Sequence, residues 1–299
     1  MKVLGIGDSV VDQYPQRGKQ YPGGNSANFC VYASMAGHQA SYLGVLGGDV
    51  HADHIRRSLS GFDVDLTHTR NTELPTNLCR VTLTNGNREI EDSTDYDLFS
   101  SCPILLDDAD FKYIARHDLV HTSLYAHIDD QLVAVRETGA MVAYDYSNFW
   151  STELVRSTCQ AVDIGFFSFP SSRSWEEGKQ RMLDLHSLGC GLVVATAGKR
   201  GACVYNGRRF YEKMPYHLEV PPVDTLGAGD AFLTGFSIRY TQGMKLRKNM
   251  EANLHMEWQR DDWEDYEDRL IENSMAAGNL IASYVCGIEA AFGCGLELK

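Results

Sequence analysis

Short apolar runs alternate with longer amphipathic ones along most of this chain, and that rhythm restricts its fold more than any other feature. Strands are expected at residues 3–6, 39–46, 118–122, 140–144, 162–167 and 191–196, each rich in Val, Ile or aromatic side chains. Helices are expected at 26–36, 52–59, 129–138, 152–159 and 175–188. Strands joined through helices need right-handed crossovers, which give a mainly parallel sheet covered on both faces. The expectation is an α/β fold with three layers. One segment breaks the rhythm: residues 77–83 and 88–92 flank Asn85-Gly86, a hairpin signal. No internal repeat or low-complexity linker interrupts the 299 residues, so a single domain is expected.

Chemistry concentrates at Asp224 to Phe232, reading D-T-L-G-A-G-D-A-F. It follows Val220-Pro221-Pro222 and runs into an apolar, helix-like stretch through Leu233, Phe236 and Ile238. Glycines on either side of an alanine let several N–H groups converge at the positive end of a helix, a geometry that binds phosphate. Asp230 in the same turn suits a base that takes a proton from an alcohol. An Asp in a first helical turn is also a common cap, and this turn by itself leaves both roles open.

The N-terminus holds a second cluster. After the strand Val3-Leu4-Gly5-Ile6 come Gly7-Asp8-Ser9-Val10-Val11-Asp12, and a loop then reaches Gly23-Gly24-Asn25 before a helix. Carboxylates accept hydrogen bonds from neighbouring hydroxyls, and an amide both donates and accepts, so these groups suit a sugar. Ordinary turn chemistry for Asp8 and Asp12, or a helix cap for Asn25, explains the same residues.

Taken together, the two regions resemble the ribokinase family, also called the phosphofructokinase-B family of carbohydrate kinases. The resemblance implies a ribokinase-like three-layer sandwich with a small β lid over the sugar, built from about 13–22 and 77–92. It implies that Asp230 is the catalytic base and that the amides of Gly227, Ala228 and Gly229 form the anion hole. Asp8, Asp12, Gly23, Gly24, Asn25 and Asn28 become the sugar-binding candidates. Val193 to Gly201 resembles the family's T-x-G-x-x-G element, placing Thr196, Gly198 and Gly201 beside ATP. Ala277 and Leu280, on a small-residue helix, are candidates for the adenine face, although such residues also mark tight helix packing. ATP and Mg2+ are the implied cofactors, and Asp224 with Thr225 suits a monovalent-cation site such as one for K+. A lid-mediated homodimer is left open.

Two departures stand out. The family's N-x-x-E element, which helps arrange magnesium, is replaced by Ser168-Phe169-Pro170-Ser171, so the metal ligands are not assigned. Residues 245–272 read as a charged insertion, with six acidic residues among the eight from Asp261 to Asp268. Met250, Leu254 and Trp258 at a four-residue step suggest an amphipathic helix there. The turns Ile6-Gly7-Asp8, Gly23-Gly24-Asn25 and Tyr144-Asp145-Tyr146-Ser147 are similar to those of family members acting on fructosamines such as fructoselysine. The implied reaction is ATP-dependent phosphorylation of a primary hydroxyl of a fructosamine or related ketose; another sugar or nucleoside kinase of the family, or a non-catalytic sugar-binding regulatory protein, is the alternative.

Composition excludes other classes. A net charge of −13 opposes non-specific nucleic-acid or anionic-membrane binding. Eight scattered cysteines with no C-x-x-C pair read as reduced thiols. No apolar run approaches the ~18 residues of a membrane span, and no signal peptide is evident, so a cytoplasmic protein is expected. Gly5-Ile6-Gly7 lacks the third glycine of a dinucleotide-binding turn.

Overall fold

The computed structural model describes residues 1–84, 87–92, 94, 96–148, 151–170, 173–254 and 258–298. The chain begins with β1 (Lys2–Ile6), then forms β2 (Val10–Tyr14) and β3 (Lys19–Gly23) before α1 (Asn25–Met35) and β4 (Gln39–Leu43). Next come β5 (Val45–Leu46), α2 (Val50–Gly61), β6 (Arg70–Asn71), β7 (Leu78–Thr84) and β8 (Asn87–Asp92). In the middle of the chain α3 (Leu98–Ser101) and α4 (Asp108–Ile114) precede β9 (Leu119–Ser123), and from there helix and strand alternate through α5 (Leu132–Glu137) and β10 (Met141–Asp145). α6 (Thr152–Thr158), β11 (Ile164–Ser168), α7 (Trp175–Ser187) and β12 (Leu192–Thr196) continue the pattern. The C-terminal third holds β13 (Ala202–Tyr205), β14 (Phe210–Lys213), α8 (Ala228–Leu254), α9 (Arg260–Val285) and β15 (Leu296–Glu297).

The main sheet has the order β14-β13-β12-β11-β10-β9-β1-β4. It is parallel from β12 to β4, and β13 and β14 extend it antiparallel. Successive side chains point to opposite faces, and the core divides accordingly. Val3, Leu119, Ala143 and Val194 face one apolar cluster with Phe29, Phe236 and Met275 from α1, α8 and α9. Leu4, Val120, Val142 and Val193 face another with Ile114, Val155 and Met182 from α4, α6 and α7. Helices therefore cover both faces, as the apolar strand runs required.

A second sheet has the order β15-β3-β2-β7-β8. The stretch after β1, read from sequence as a loop, is in fact the antiparallel pair β2–β3. β7 joins β2 in parallel, and β7 and β8 form an antiparallel hairpin, Thr84 opposite Asn87. The Asn85-Gly86 turn itself lies outside the described residues.

The expected helix through Met250, Leu254 and Trp258 is corrected. Residues 245–254 end α8 and residues 260–272 begin α9, and Trp258 lies outside both helices. Its ring packs against Tyr266, centroids 5.1 Å apart, and the Arg247 guanidinium sits 3.8 Å over Trp263. The acidic run is answered by Arg208, whose guanidinium lies 3.0, 2.9 and 3.1 Å from Glu264, Glu267 and Asp268. Among the described residues no helix is long and apolar enough to cross a membrane.

Candidate active site

The parallel strands β1, β9, β10, β11 and β12 all end beside one cavity of about 520 Å³, where ligands of open α/β sheets bind. Its walls include Asp8 after β1, Tyr125 after β9, Asp145 at the end of β10, Ser168 of β11 and Thr196 of β12. The second sheet and the segment after it supply Asp12, Asn77, Cys79, Tyr96 and Asp97. The first turns of α1 and α8 add Asn25, Asn28, Gly229 and Asp230.

Two helix starts converge here. α1 opens after Gly24, whose φ of +107° suits glycine, and a Cβ at that position would come within 2.6 Å of Ser9 Cα. The Asp8 carboxylate accepts the N–H of Asn25 at 2.9 Å and of Ser26 at 3.4 Å, so Asp8 caps α1 while facing the cavity. Gly23 lies outside the cavity lining but beside Asp12, where a Cβ would run into the carboxylate. α1 then presents Asn25 and Asn28 one turn apart on the same face.

α8 aims its N-terminus at the same space. Gly227, at φ +76°, has no Cβ where the Tyr32 hydroxyl sits, and that hydroxyl donates to Ala291 O at 2.8 Å. Ala228 N–H donates to Thr225 O at 3.3 Å, which leaves the N–H groups of Gly229 and Asp230 as the less engaged donors of the turn. Apart from its chain neighbours and its own helix backbone, nothing lies within 4 Å of where a Gly229 Cβ would stand, so open space adjoins this turn. That is the shape an incoming phosphate requires.

Asp230 is held by both asparagines. Its Oδ2 accepts Asn28 Nδ2 at 2.6 Å, and its Oδ1 accepts Asn25 Nδ2 at 3.0 Å. Asn25 Nδ2 also donates to Asp145 Oδ2 at 2.7 Å. Burial pushes the Asp230 carboxyl up to about 8; the charge of Asp145 adds to this and the Asn28 amide opposes it. Burial likewise lifts Asp145 to about 6 and raises Asp8. Asn28 Oδ1 is buried with no hydrogen-bond partner among the described residues, an acceptor awaiting a donor such as a sugar hydroxyl.

Asp224 anchors the loop before α8. Its Oδ1 accepts the N–H of Thr225 at 2.8 Å and of Leu226 at 3.0 Å, and its Oδ2 lies 2.9 Å from Arg17 Nη1. The carboxylate considered for a monovalent cation thus already faces a guanidinium, and Thr225 is exposed.

On the nucleotide side, Thr196 reaches the cavity, whereas Gly198 and Gly201 lie beyond its lining. Those two glycines close a tight turn through Gly201 N to Gly198 O at 2.9 Å. Ala277 and Leu280 also lie outside this cavity. The Ala277 carbonyl abuts Gly235, where a Cβ would sit 2.6 Å away, so this stretch packs α9 on α8, while Leu280 is 64% exposed. Of the replaced N-x-x-E segment, Ser168 lines the cavity, and Ser171 falls outside the described residues. Among the described residues no group of three or more His, Cys, Asp or Glu is arranged to hold a metal ion.

The cavity also holds Tyr125 and Asp97, the latter with His127 Nε2 at 2.8 Å, and His121 lies buried behind Asn25; the sequence did not single out any of these. Asp145 entered the sequence reading only within the turn Tyr144-Asp145-Tyr146-Ser147, without a role of its own.

The chain matches the model of the pfkB family of carbohydrate kinases over residues 2–252 and belongs to that family. It is an ATP-dependent carbohydrate kinase with the ribokinase-like fold. Among its relatives, a fructoselysine 6-kinase of Shigella flexneri is 30% identical over 84% of this chain and 94% of its own. A fructosamine kinase of Bacillus subtilis is 33% identical over 79% of this chain and 82% of its own. The ribokinase of Arabidopsis thaliana superposes with a TM-score of 0.76 at 19% identity, covering 97% of this chain and 94% of that one.

Proposed function

We propose that this kinase transfers the γ-phosphoryl group of ATP to a primary hydroxyl of a fructosamine, a ketose bearing an amine. The observation that carries the substrate is the charge of the cavity. Asp8, Asp12, Asp97, Asp145 and Asp230 line it, and no Lys or Arg does among the described residues. A phosphorylated sugar would place its own dianion against these acids. Like charges 4 Å apart cost about 4 kcal/mol per pair at an effective dielectric near 20. A sugar with a protonated amine gains where the phosphate loses. The two fructosamine-acting relatives support the same class.

In this reading Asn28 Oδ1 and Asp12 take sugar hydroxyls, and the reacting hydroxyl lies against Asp230. Asp230 accepts its proton as the hydroxyl oxygen bonds to phosphorus and the bond from phosphorus to the leaving ADP oxygen breaks. The N-terminal N–H groups of α8, those of Gly229 and Asp230 foremost, receive the phosphoryl oxygens, while the Ala228 N–H, expected in the anion hole, is turned to Thr225 O. Magnesium bound with ATP would supply the charge neutralisation that the acidic cavity does not, and no residue of this chain is assigned to hold it. Thr196 borders the phosphates. Leu280 and Tyr284, both exposed and one turn apart on α9, offer a face for adenine. The sheet of β2, β3, β7 and β8 acts as the lid that keeps water from the phosphoryl group.

Coupled ADP release over fructoselysine, other fructosamines, fructose, fructose 6-phosphate, ribose and nucleosides tests this, with the phosphorylated carbon read by NMR. A fructosamine is expected to show the highest kcat/KM and fructose 6-phosphate almost none. Preference for a sugar phosphate or a nucleoside would overturn the assignment.

A further inference from the structure

His121 sits on β9 with no exposed surface, and nothing in the reaction above uses it. Its Nε2 lies 2.5 Å from Asn25 Oδ1, and its ring packs on Phe29 with centroids 4.8 Å apart. The other end of the same amide faces two carboxylates, Asp145 and Asp230. Carboxylates need donors, so the –NH2 group belongs on their side and the amide oxygen on the side of His121. An oxygen there needs an N–H at Nε2. Burial pushes the imidazole down to about 3, so it is neutral and carries a single N–H. The Ala143 backbone carbonyl faces the other side of the ring without an Nδ1 hydrogen bond of ordinary geometry, and it is the competing place for the single N–H.

We propose that His121 is a positioning residue for Asp230: its Nε2–H locks the Asn25 amide so that both amide hydrogens reach Asp145 and Asp230. This rests on the reading of Asp230 as the base. Without the lock the amide is free to turn over, and its oxygen then confronts two acids. An oxygen in that place stabilises the protonated carboxyl and disfavours the anion that accepts the substrate proton. The titratable groups already facing Asp230 are Asp145 from β10, Asp8 and Asp12 around β2, Tyr32 from α1 and Tyr125 after β9. All of them stay in place, so a shift of the pH profile would report the amide.

The tautomer is read first, on the wild-type enzyme, by NMR of protein carrying 15N-histidine. An Nε2–H is expected; an Nδ1–H directed at the Ala143 carbonyl would overturn the proposal. His121→Phe keeps the ring contact but removes the donor. It is expected to lower kcat roughly tenfold, with sugar KM nearly unchanged, and to move the rising limb of the kcat–pH profile to higher pH. His121→Gln restores a donor and is expected to recover most of the activity. In an Asn25→Ala background, where no amide remains to orient, His121→Phe is expected to change kcat little further. Equal losses in the Phe and Gln variants, or additive losses in the double variant, would overturn the role. Should His121→Phe not fold, His121→Met supplies the donor-free comparison. If Asp230→Asn retained wild-type turnover while the tautomer and the double variant behaved as expected, the reading of Asp230 would fail and the lock on Asn25 would stand.

Discussion

Arg17 Nη1 lies 2.9 Å from Asp224 Oδ2, tying the turn between β2 and β3 to the loop that leads into α8. The Asp224 side chain is 1% exposed and that of Arg17 24%. Breaking a buried pair by removing one partner costs about 3–5 kcal/mol, because a charge is stranded. Arg17→Ala is expected near the low end of that range, since the guanidinium is partly solvated. Arg17→Ala combined with Asp224→Asn should recover part of the loss, the new side chain still accepting the Thr225 and Leu226 N–H groups. Urea unfolding of the four proteins checks this, and equal stability of Arg17→Ala and wild type would remove the pair from the account.

Turnover should follow the ionisation of Asp230. With its carboxyl pushed up to about 8, the anion that accepts a proton is scarce at pH 6 and grows as pH rises. The kcat of the enzyme is therefore expected to climb from pH 6 to 8.5. Asp145 contributes to the upward shift, so Asp145→Asn should move the rising limb to lower pH. A flat profile, or a limb unmoved by Asp145→Asn, would contradict the coupling of these two acids.

Stability should respond to the same proton in the opposite sense. The folded value of Asp230 lies above its ordinary 3.8, so the folded state holds this proton more tightly than the unfolded chain. That contribution is fully present below the unfolded value and is lost as pH rises through about 8. Asp230→Asn, which carries no charge, is expected to raise Tm relative to wild type at pH 8.5 and much less at pH 4.5. Thermal unfolding at the two values reads the difference.

Much of this site was legible in the sequence because its geometry is local. Gly24-Asn25 and Gly227 to Asp230 place backbone, turn and functional side chain within a few residues, and such strings survive as patterns. The amides of Asn25 and Asn28 and the acid Asp230 accordingly share one cavity. His121, Tyr125 and Asp97 left no such trace. His121 sits mid-strand in β9 behind Asn25, Tyr125 follows that strand and Asp97 caps α3, so each is a single polar residue placed by the fold rather than by its neighbours in the chain. The strands β2 and β3 were visible only through the resemblance, which implied a β lid from about 13–22; read from the residues alone the stretch was a loop. The periodicity of Met250, Leu254 and Trp258 misled because Trp258 packs on Tyr266 rather than continuing α8.

Gly227 offers a test of the helix start apart from its chemistry. An added methyl group meets both an unfavourable φ of +76° and the Tyr32 hydroxyl. Gly227→Ala is expected to destabilise the fold by more than about 1 kcal/mol and to reduce kcat more strongly than sugar affinity. Gly229→Ala meets open space on the cavity side, so its fold should be nearly intact while ATP binding weakens. Calorimetric titration with an ATP analogue separates the two, and equal nucleotide affinity in Gly229→Ala and wild type would argue against a phosphate in that turn.

The most direct measurement is the turnover of Asp230→Asn with fructoselysine and ATP, set beside wild type under identical conditions. The carboxylate is assigned the proton of the acceptor hydroxyl, so kcat is expected to fall by at least ~10²-fold while circular dichroism and sugar binding stay intact. A correctly folded Asp230→Asn enzyme that turns over fructoselysine at nearly the wild-type rate would contradict that role.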